Sequence, residues 1–254
     1  MKAVFLSDVH LKHRTDERYV RLLRFLNHVL AGNLKSPIHH NSPEENRRID
    51  ALYILGDFFD FWFCNKNCIY PDFQMVIQKL VELKKTGVHI HWCEGNHDFF
   101  MKEYFQEELG MDVSEEWAII CLDSLKVLIS HGDTVDRSNW RYLALRKVLR
   151  SQPFYRFQRL IPPSLRWTMA GASSNASKRM NDNNNDFLAE KMHRFAKIKL
   201  QDEYDAVIMG HCHKPLLHQF IAKGRQKTSA TLGDWRTCFS FLYYENEQFF
   251  LIKD

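Results

Sequence analysis

Five short clusters of Asp, Asn and His punctuate the chain: Asp8-Val9-His10, Gly56-Asp57-Phe58-Phe59-Asp60, Gly95-Asn96-His97-Asp98, His131-Gly132-Asp133 and Gly210-His211-Cys212-His213. Carboxylate oxygens, neutral imidazoles and an amide oxygen form a mixed hard and intermediate donor set, suited to Mn²⁺, Fe or Zn²⁺ rather than Ca²⁺. The glycines fit the same picture, because a backbone that turns sharply and leaves room for an ion or phosphate favours a residue without Cβ. One such cluster is weak, since Asp-x-His arises by chance and a lone strand-end histidine is more often a hydrogen-bonded surface residue. Five in order are strong. Asp60, Asp98 and Asp133 have two readings: they orient metal-bound imidazoles through the remote ring nitrogen, or they cap turns and helices. His13, His28, His39, His40, His89, His91, His193 and His218 stand outside the clusters and are read as structural or solvent-exposed. His89 and His91 alternate with Val88, Ile90 and Trp92, which puts them on the less buried face of a strand.

Each cluster stands at or just beyond the end of a predicted buried strand. The strands are short, apolar and rich in β-branched or aromatic residues: Ala3 to Leu6, Ala51 to Leu55, Val88 to Cys93, Val127 to Ser130 and Ala206 to Met209. Helical periodicity lies between them, in Tyr19 to Leu30 with Val20, Leu23, Leu26 and Leu30, and in Phe73 to Lys85 closed by Gly87. Alternating strands and helices imply an α/β sheet with parallel pairs, whose carboxyl ends open into one crevice where distant side chains converge. After His213 the pattern changes to Leu216 to Ala222, Thr228 to Leu232, Cys238 to Tyr244 and Gln248 to Ile252, which reads as antiparallel β. Ser36 to Arg48 reads as an exposed loop.

With 254 residues, 45% of them apolar and 26% charged, the chain has the makeup of a soluble globular protein able to bury a substantial core. Apolar runs such as Trp117 to Leu122 are far short of the roughly 20 residues that span a bilayer. Charged residues interrupt the N-terminus before a signal-peptide apolar region is reached, so the six cysteines are expected to be reduced thiols; Cys64 and Cys68 lack zinc-ribbon spacing. A net charge of +4 is too small to indicate nucleic acid by itself. The charge is unevenly placed, however. Arg137 to Asn181 holds ten Lys or Arg and no Asp or Glu, interleaved with Trp140, Tyr142, Phe154, Tyr155, Phe157 and Trp167 and divided by prolines. This segment reads as an inserted helical cap, and its mixture suits an anionic lipid surface, a solvated basic face over an ordinary core, or a stacking groove for nucleic acid.

The cluster order resembles the calcineurin-like metallophosphoesterase signature D-x-H, G-D-x-x-D, G-N-H-D, H-G-D and G-H-x-H, spanning residues 8 to 213. The resemblance implies a sandwich of mixed β-sheets flanked by helices. It also implies one metal held by Asp8, His10, Asp57 and His213 and a second held by Asp57, Asn96, His131 and His211, with Asp57 bridging. Two divalent ions, Mn²⁺ or alternatively Fe or Zn²⁺, roughly 3.5 to 4 Å apart would clamp an in-line displacement and supply a nucleophile at neutral pH. His97 resembles the family histidine that aids the leaving group, so His97, Asn96 and Asp57 are the candidate catalytic residues.

Within that superfamily the chain is similar to the UDP-2,3-diacylglucosamine hydrolase family of lipid A biosynthesis, through FLSDVHL, ALYILGDFFDFWF, GNHDFF, VLISHGDTVDRSNWRYLALRKVLRS and IMGHCHKP. The resemblance implies cleavage to UMP and 2,3-diacylglucosamine 1-phosphate by a cytoplasmic enzyme peripheral to the inner membrane, with nucleic acid an unlikely partner. It implies a core of residues 1–136 and 200–254 and a cap of residues 137–199, and substrate contacts from Asn96, His97, Asn139, Tyr142, Ser177, Asn181 and His211. Two positions depart from the family: His97 stands where many members have Arg, and the cap pattern Ser-x-x-x-Asn-x-x-Lys meets Asn184 in place of Lys. The alternatives are a paralogue acting on another phosphodiester or nucleotide diphosphate, or a non-catalytic scaffold of the same fold.

Overall fold

The computed structural model describes residues 1–34, 37–38, 48–62, 69–162 and 185–253. In chain order its strands are β1 (Lys2–Leu6), β2 (Ala51–Leu55), β3 (His89–Cys93), β4 (Asp112–Ser114), β5 (Ala118–Leu122), β6 (Leu125–Ser130), β7 (Ala206–Met209), β8 (Leu216–Ala222), β9 (Arg225–Thr231), β10 (Ser240–Glu245) and β11 (Gln248–Lys253). The helices are α1 (Glu17–Leu30), α2 (Gln74–Lys85), α3 (Trp140–Leu149), α4 (Gln152–Arg159) and α5 (Asn185–Asp202).

Two mixed sheets result, in the orders β11-β10-β1-β2-β3-β4 and β5-β6-β7-β9-β8. The strands β1 to β4 run parallel to one another, as do β6, β7 and β9. Strands β2 and β7 are buried along their whole length, as their uninterrupted apolar sequences require of strands covered on both faces. Phe5, Tyr53, Leu55, Val127, Ile129 and Ile208 fill the space between the sheets. The outer face of the first sheet is covered by α1 and α2, over a core rich in aromatic residues that includes Phe58, Phe59, Trp62, Phe73, Trp92 and Phe105. Ala189, Met192, Ala196 and Leu200 of α5 cover the outer face of the second sheet against Val207 and Met209. The layers are therefore helix, sheet, sheet and helix, the flanked sandwich that the family resemblance implies.

Three local departures have physical reasons. The buried stripe of α1 is Tyr19, Leu22, Phe25, Leu26 and Val29, whereas Val20 is half exposed. The aromatic rings of Tyr19 and Phe25 turn the helix away from the stripe that its aliphatic residues suggest. The tail is not wholly antiparallel, because β9 runs parallel to β7 on one side and antiparallel to β8 on the other. Finally, α5 packs on the sheet as a flanking helix, although its first fifteen residues lie within the segment assigned to the cap. By contrast, α3 buries no residue. Among the described residues, no helix is long and apolar enough to cross a membrane.

Candidate metal centre

The loops after β1, β2, β3, β6 and β7 meet at one end of the sandwich and continue the strand pairing past the regular sheet. Asp8 N donates to Gly56 O at 3.1 Å, His10 N to Asp57 O at 2.8 Å and Gly210 N to His131 O at 2.9 Å. The two sheets are tied together here as well: His211 N donates to Asp8 Oδ2 at 2.9 Å, and His131 Nδ1 lies 2.9 Å from Leu55 O. Asp8, His10, Asp57, His211 and His213 all take left-handed backbone conformations, with φ of 54°, 49°, 52°, 67° and 55°. Such conformations cost on the order of 1–3 kcal/mol each in non-glycine residues and persist where surrounding structure enforces them. Gly56 has φ +77°, and a Cβ there would lie 2.7 Å from both Gly95 Cα and the His131 ring. A Cβ on Gly95 would overlap the Asp57 carboxylate. These two glycines let the loops close around Asp57.

The donor atoms fall into two groups that share one oxygen. Asp57 Oδ2 lies 3.8 Å from His10 Nε2, and His10 Nε2 lies 3.5 Å from His213 Nε2, which is 3.3 Å from Asp8 Oδ1. On the other side Asp57 Oδ2 lies 3.5 Å from His131 Nε2, which is 3.1 Å from Asn96 Oδ1 and 3.2 Å from His211 Nδ1. Donors bound to one transition-metal ion at about 2.1 Å sit roughly 3 to 3.5 Å from one another, so the spacing fits an ion on each side of Asp57. The carboxylates are held accordingly. Asp57 Oδ1 accepts from His97 N at 2.8 Å, and Asp8 Oδ2 from Ser7 Oγ at 2.5 Å, while the buried Asp8 Oδ1 faces the His213 ring without a well-formed hydrogen bond among the described residues. A buried oxygen left this way is costly unless a cation satisfies it.

The charges obey the same geometry. Burial alone would raise the Asp57 carboxyl, but the His131 and His97 rings outweigh it and hold the group well below the usual carboxylate range. Burial would lower His131, yet Asp57 lifts it to about 10; burial opposes His213 too, and Asp8 and Asp234 lift it to about 10. His10, with burial dominant, falls to about 3, and His211 falls to about 4 through burial and the neighbouring His131. One raised imidazole, His131 or His213, stands on each side of Asp57, so each donor group favours positive charge.

Residues 1–215 match the calcineurin-like phosphoesterase family. The chain belongs to that family. Over its whole length it is 28% identical to a UDP-2,3-diacylglucosamine hydrolase of Proteus mirabilis, covering 99% of that protein. A protein of the same name from Vibrio atlanticus is also 28% identical, with 98% of this chain and 96% of that one covered. Among solved structures, an archaeal phosphodiesterase matches with a TM-score of 0.50 and 14% identity over 100% of both chains, a likeness of fold.

The candidate centre extends into residues that support its side chains. Asp98, read from sequence as orienting an imidazole or capping a turn, does the second: its carboxylate accepts from Gly95 N, Asp57 N, Phe58 N and Phe59 N at 2.7–3.1 Å. Among the described residues Asp133 touches no imidazole by hydrogen bond; it accepts from Tyr142 Oη and Arg146 Nε, both at 2.6 Å. Of the three, Asp60 faces a donor ring, its Oδ1 lying 3.8 Å from His10 Nδ1. The main chain orients His131 through Leu55 O and His97 through Asp60 O, at 2.9 Å each. Sequence reasoning missed Asp234. Its Oδ1 accepts from Arg236 N, Thr237 N and Cys238 N, while Oδ2 lies 3.4 Å from His213 Nδ1. The available signal was Gly233-Asp234 just past a strand end, the same pattern as Gly56-Asp57.

His97 Nε2 lies 3.9 Å from Asp57 Oδ2 and its ring packs edge-on against His10, 4.9 Å between centroids, so His97 faces the cluster beside the His10 donor group. Tyr142 stands at the rim, with its ring centroid 6.5 Å from that of His211. Asn139 is exposed and caps α3, accepting from Tyr142 N at 3.3 Å. Ser177, Asn181 and Asn184 lie outside the described residues, as do Cys64, Cys68 and most of the Ser36 to Arg48 loop. Helices α3 and α4 are fastened to the core by polar clamps: Arg146 on Asp133, Arg150 on Glu94 at 2.8 Å and on Gly95 O at 2.6 Å, and Tyr155 on Glu103.

Proposed function

We propose that the chain hydrolyses the diphosphate of UDP-2,3-diacylglucosamine, adding water to give UMP and 2,3-diacylglucosamine 1-phosphate. The observation that carries the chemistry is Asp57 Oδ2 standing between two donor groups. Asp8, His10, Asp57 and His213 would hold one divalent ion, and Asp57, Asn96, His131 and His211 the other. When bound, such a pair supplies an activated water near neutral pH and neutralises phosphoryl charge; Mn²⁺ is the preferred ion. The substrate assignment is supported by full-length likeness to hydrolases of that name.

The protein's own groups do the remaining work. Because Asp60 O only accepts, His97 Nδ1 must donate to it. Nε2 then carries a proton only in the imidazolium, which can give that proton to the departing sugar-phosphate oxygen or donate a hydrogen bond to the phosphoryl group. Helices α3 and α4 form the cap, with Trp140 67% and Leu160 82% exposed and Phe157 likewise exposed among Arg141, Lys147, Arg156 and Arg159. Aromatic and basic side chains mixed in this way suit acyl chains and an anionic membrane face, which supports peripheral binding at the cytoplasmic side of the inner membrane.

The test is UMP release from UDP-2,3-diacylglucosamine in detergent with Mn²⁺, beside a chelated control and a generic phosphodiester. Metal-dependent UMP is the expected product, and water labelled with ¹⁸O should mark the UMP phosphate. Turnover of the generic diester alone would discard the lipid substrate. That outcome would favour the second reading, a paralogue on another phosphodiester, to which His97 in place of the family's Arg points.

A further inference from the structure

A second constellation of metal-type side chains lies on the edge of the first sheet. His89 and His91 are two residues apart on β3, so their side chains leave the same face of the strand. The parallel register sets Asp112 of β4 beside His91. His89 Nε2 lies 3.4 Å from Asp112 Oδ2, and one donor atom from each of His89, His91 and Asp112 falls within 4.8 Å of the others. His91 is partly buried and is fixed by Ser114 Oγ, 3.0 Å from its Nε2, while the side chains of His89 and Asp112 are 50% and 60% exposed. Two imidazoles and one carboxylate, one ring pinned from behind and the outer face open to solvent, are what a three-ligand transition-metal site requires. Tyr53, on the neighbouring β2, lies beneath, its ring centroid 6.3 Å from His89 and 6.0 Å from His91.

We propose that His89, His91 and Asp112 bind a third transition-metal ion of the Zn²⁺, Ni²⁺ or Cu²⁺ class, separate from the catalytic pair. Imidazole favours these ions over Mg²⁺ and Ca²⁺, which prefer all-oxygen sites. The site bridges β3 to β4, and β4 is a three-residue strand at the sheet edge with β3 as its partner in the sheet. A bound ion would clamp that edge, where unpaired backbone groups otherwise invite another strand. Burial lowers His91, which keeps its ring neutral and ready to coordinate near pH 7.

The test uses the full-length protein loaded with Mn²⁺ and titrated with Zn²⁺, comparing wild type with His89→Ala and Asp112→Ala, both exposed positions. Wild type should hold three ions in total and each variant two, whatever exchange occurs at the catalytic pair. Zinc should raise the wild-type thermal midpoint by about 3 °C more than that of either variant. Hydrolysis should be equal in all three proteins before zinc is added, and the His91 ring signals should shift with zinc only in wild type. Two ions in wild type, or an unshifted His91 ring, would overturn the site.

Discussion

The loops around Asp57 and the helices α3 and α4 are built by opposite rules. Around Asp57 the side chains are buried, carboxylates are held by backbone N–H groups, and left-handed backbone recurs at the donors. In α3 no side chain is buried, and attachment rests on Arg146, Arg150, Tyr142 and Tyr155. The first region holds its side chains by burial and backbone hydrogen bonds, the kind of positioning that in-line chemistry on phosphorus requires. The second presents apolar and basic surface on a few polar clamps, suited to a flexible amphiphile. Chemistry and selection are thereby separable, and mutations should divide between them.

The largest effect should come from Asp57→Ala, which removes the oxygen common to both donor groups. Hydrolysis should fall by about 10³-fold or more on every phosphodiester, and comparable turnover on a generic diester would break the division. Asp98→Ala comes next, because it strips the acceptor from the buried N–H groups of Asp57, Phe58 and Phe59, while Gly95 N keeps Asp98 O at 3.1 Å. The fold should lose about 3 kcal/mol, read as a fall of roughly 10 °C in thermal midpoint; an unchanged midpoint would show that the loop holds itself. Asp234→Asn should weaken metal binding by about 10- to 100-fold, with little change in the fold. Calorimetry with Mn²⁺ measures this.

The electrostatics sharpen the same region. His131 and His213 sit near 10 in the metal-free protein, so they are protonated at pH 8 and must lose those protons to coordinate. Metal binding at pH 8 should release about two protons, and affinity should rise with pH up to about 10. Heats measured in buffers of different ionisation enthalpy report the number directly. The smallest effect should come from the cap: Phe157→Ser should reduce turnover of the lipid substrate several-fold and leave a generic diester untouched. Equal loss on both substrates would mean that α4 supports the catalytic loops and not selection.

Much of the catalytic region is legible in the sequence because its signal lies in residue type. Asp, Asn and His at strand ends are recognisable before any packing is known, and β2 and β7 follow from apolar runs of the right length. What is illegible depends on partners. Asp98 reads like any second carboxylate of a cluster, and only the backbone N–H groups turned toward it show that it builds the loop. Asp234 sits in a tail whose pattern speaks of hairpins, and its link to His213 needs the parallel pairing of β9 beside β7, which a hairpin reading does not supply. The stripe of α1 was displaced by Tyr19 and Phe25, whose large rings count for more burial than Val20 or Leu23. Helix α5 shares its chain neighbourhood with the cap but not its packing, a distinction set by Ala189, Met192 and Ala196 against β7.

Electron paramagnetic resonance of the Mn²⁺-saturated protein tests most directly whether one carboxylate joins two ions. The geometry predicts a spin-coupled pair in wild type, with the coupled spectrum lost in Asp57→Ala. Two uncoupled Mn²⁺ signals in wild type, or a coupled pair that survives without Asp57, would contradict it.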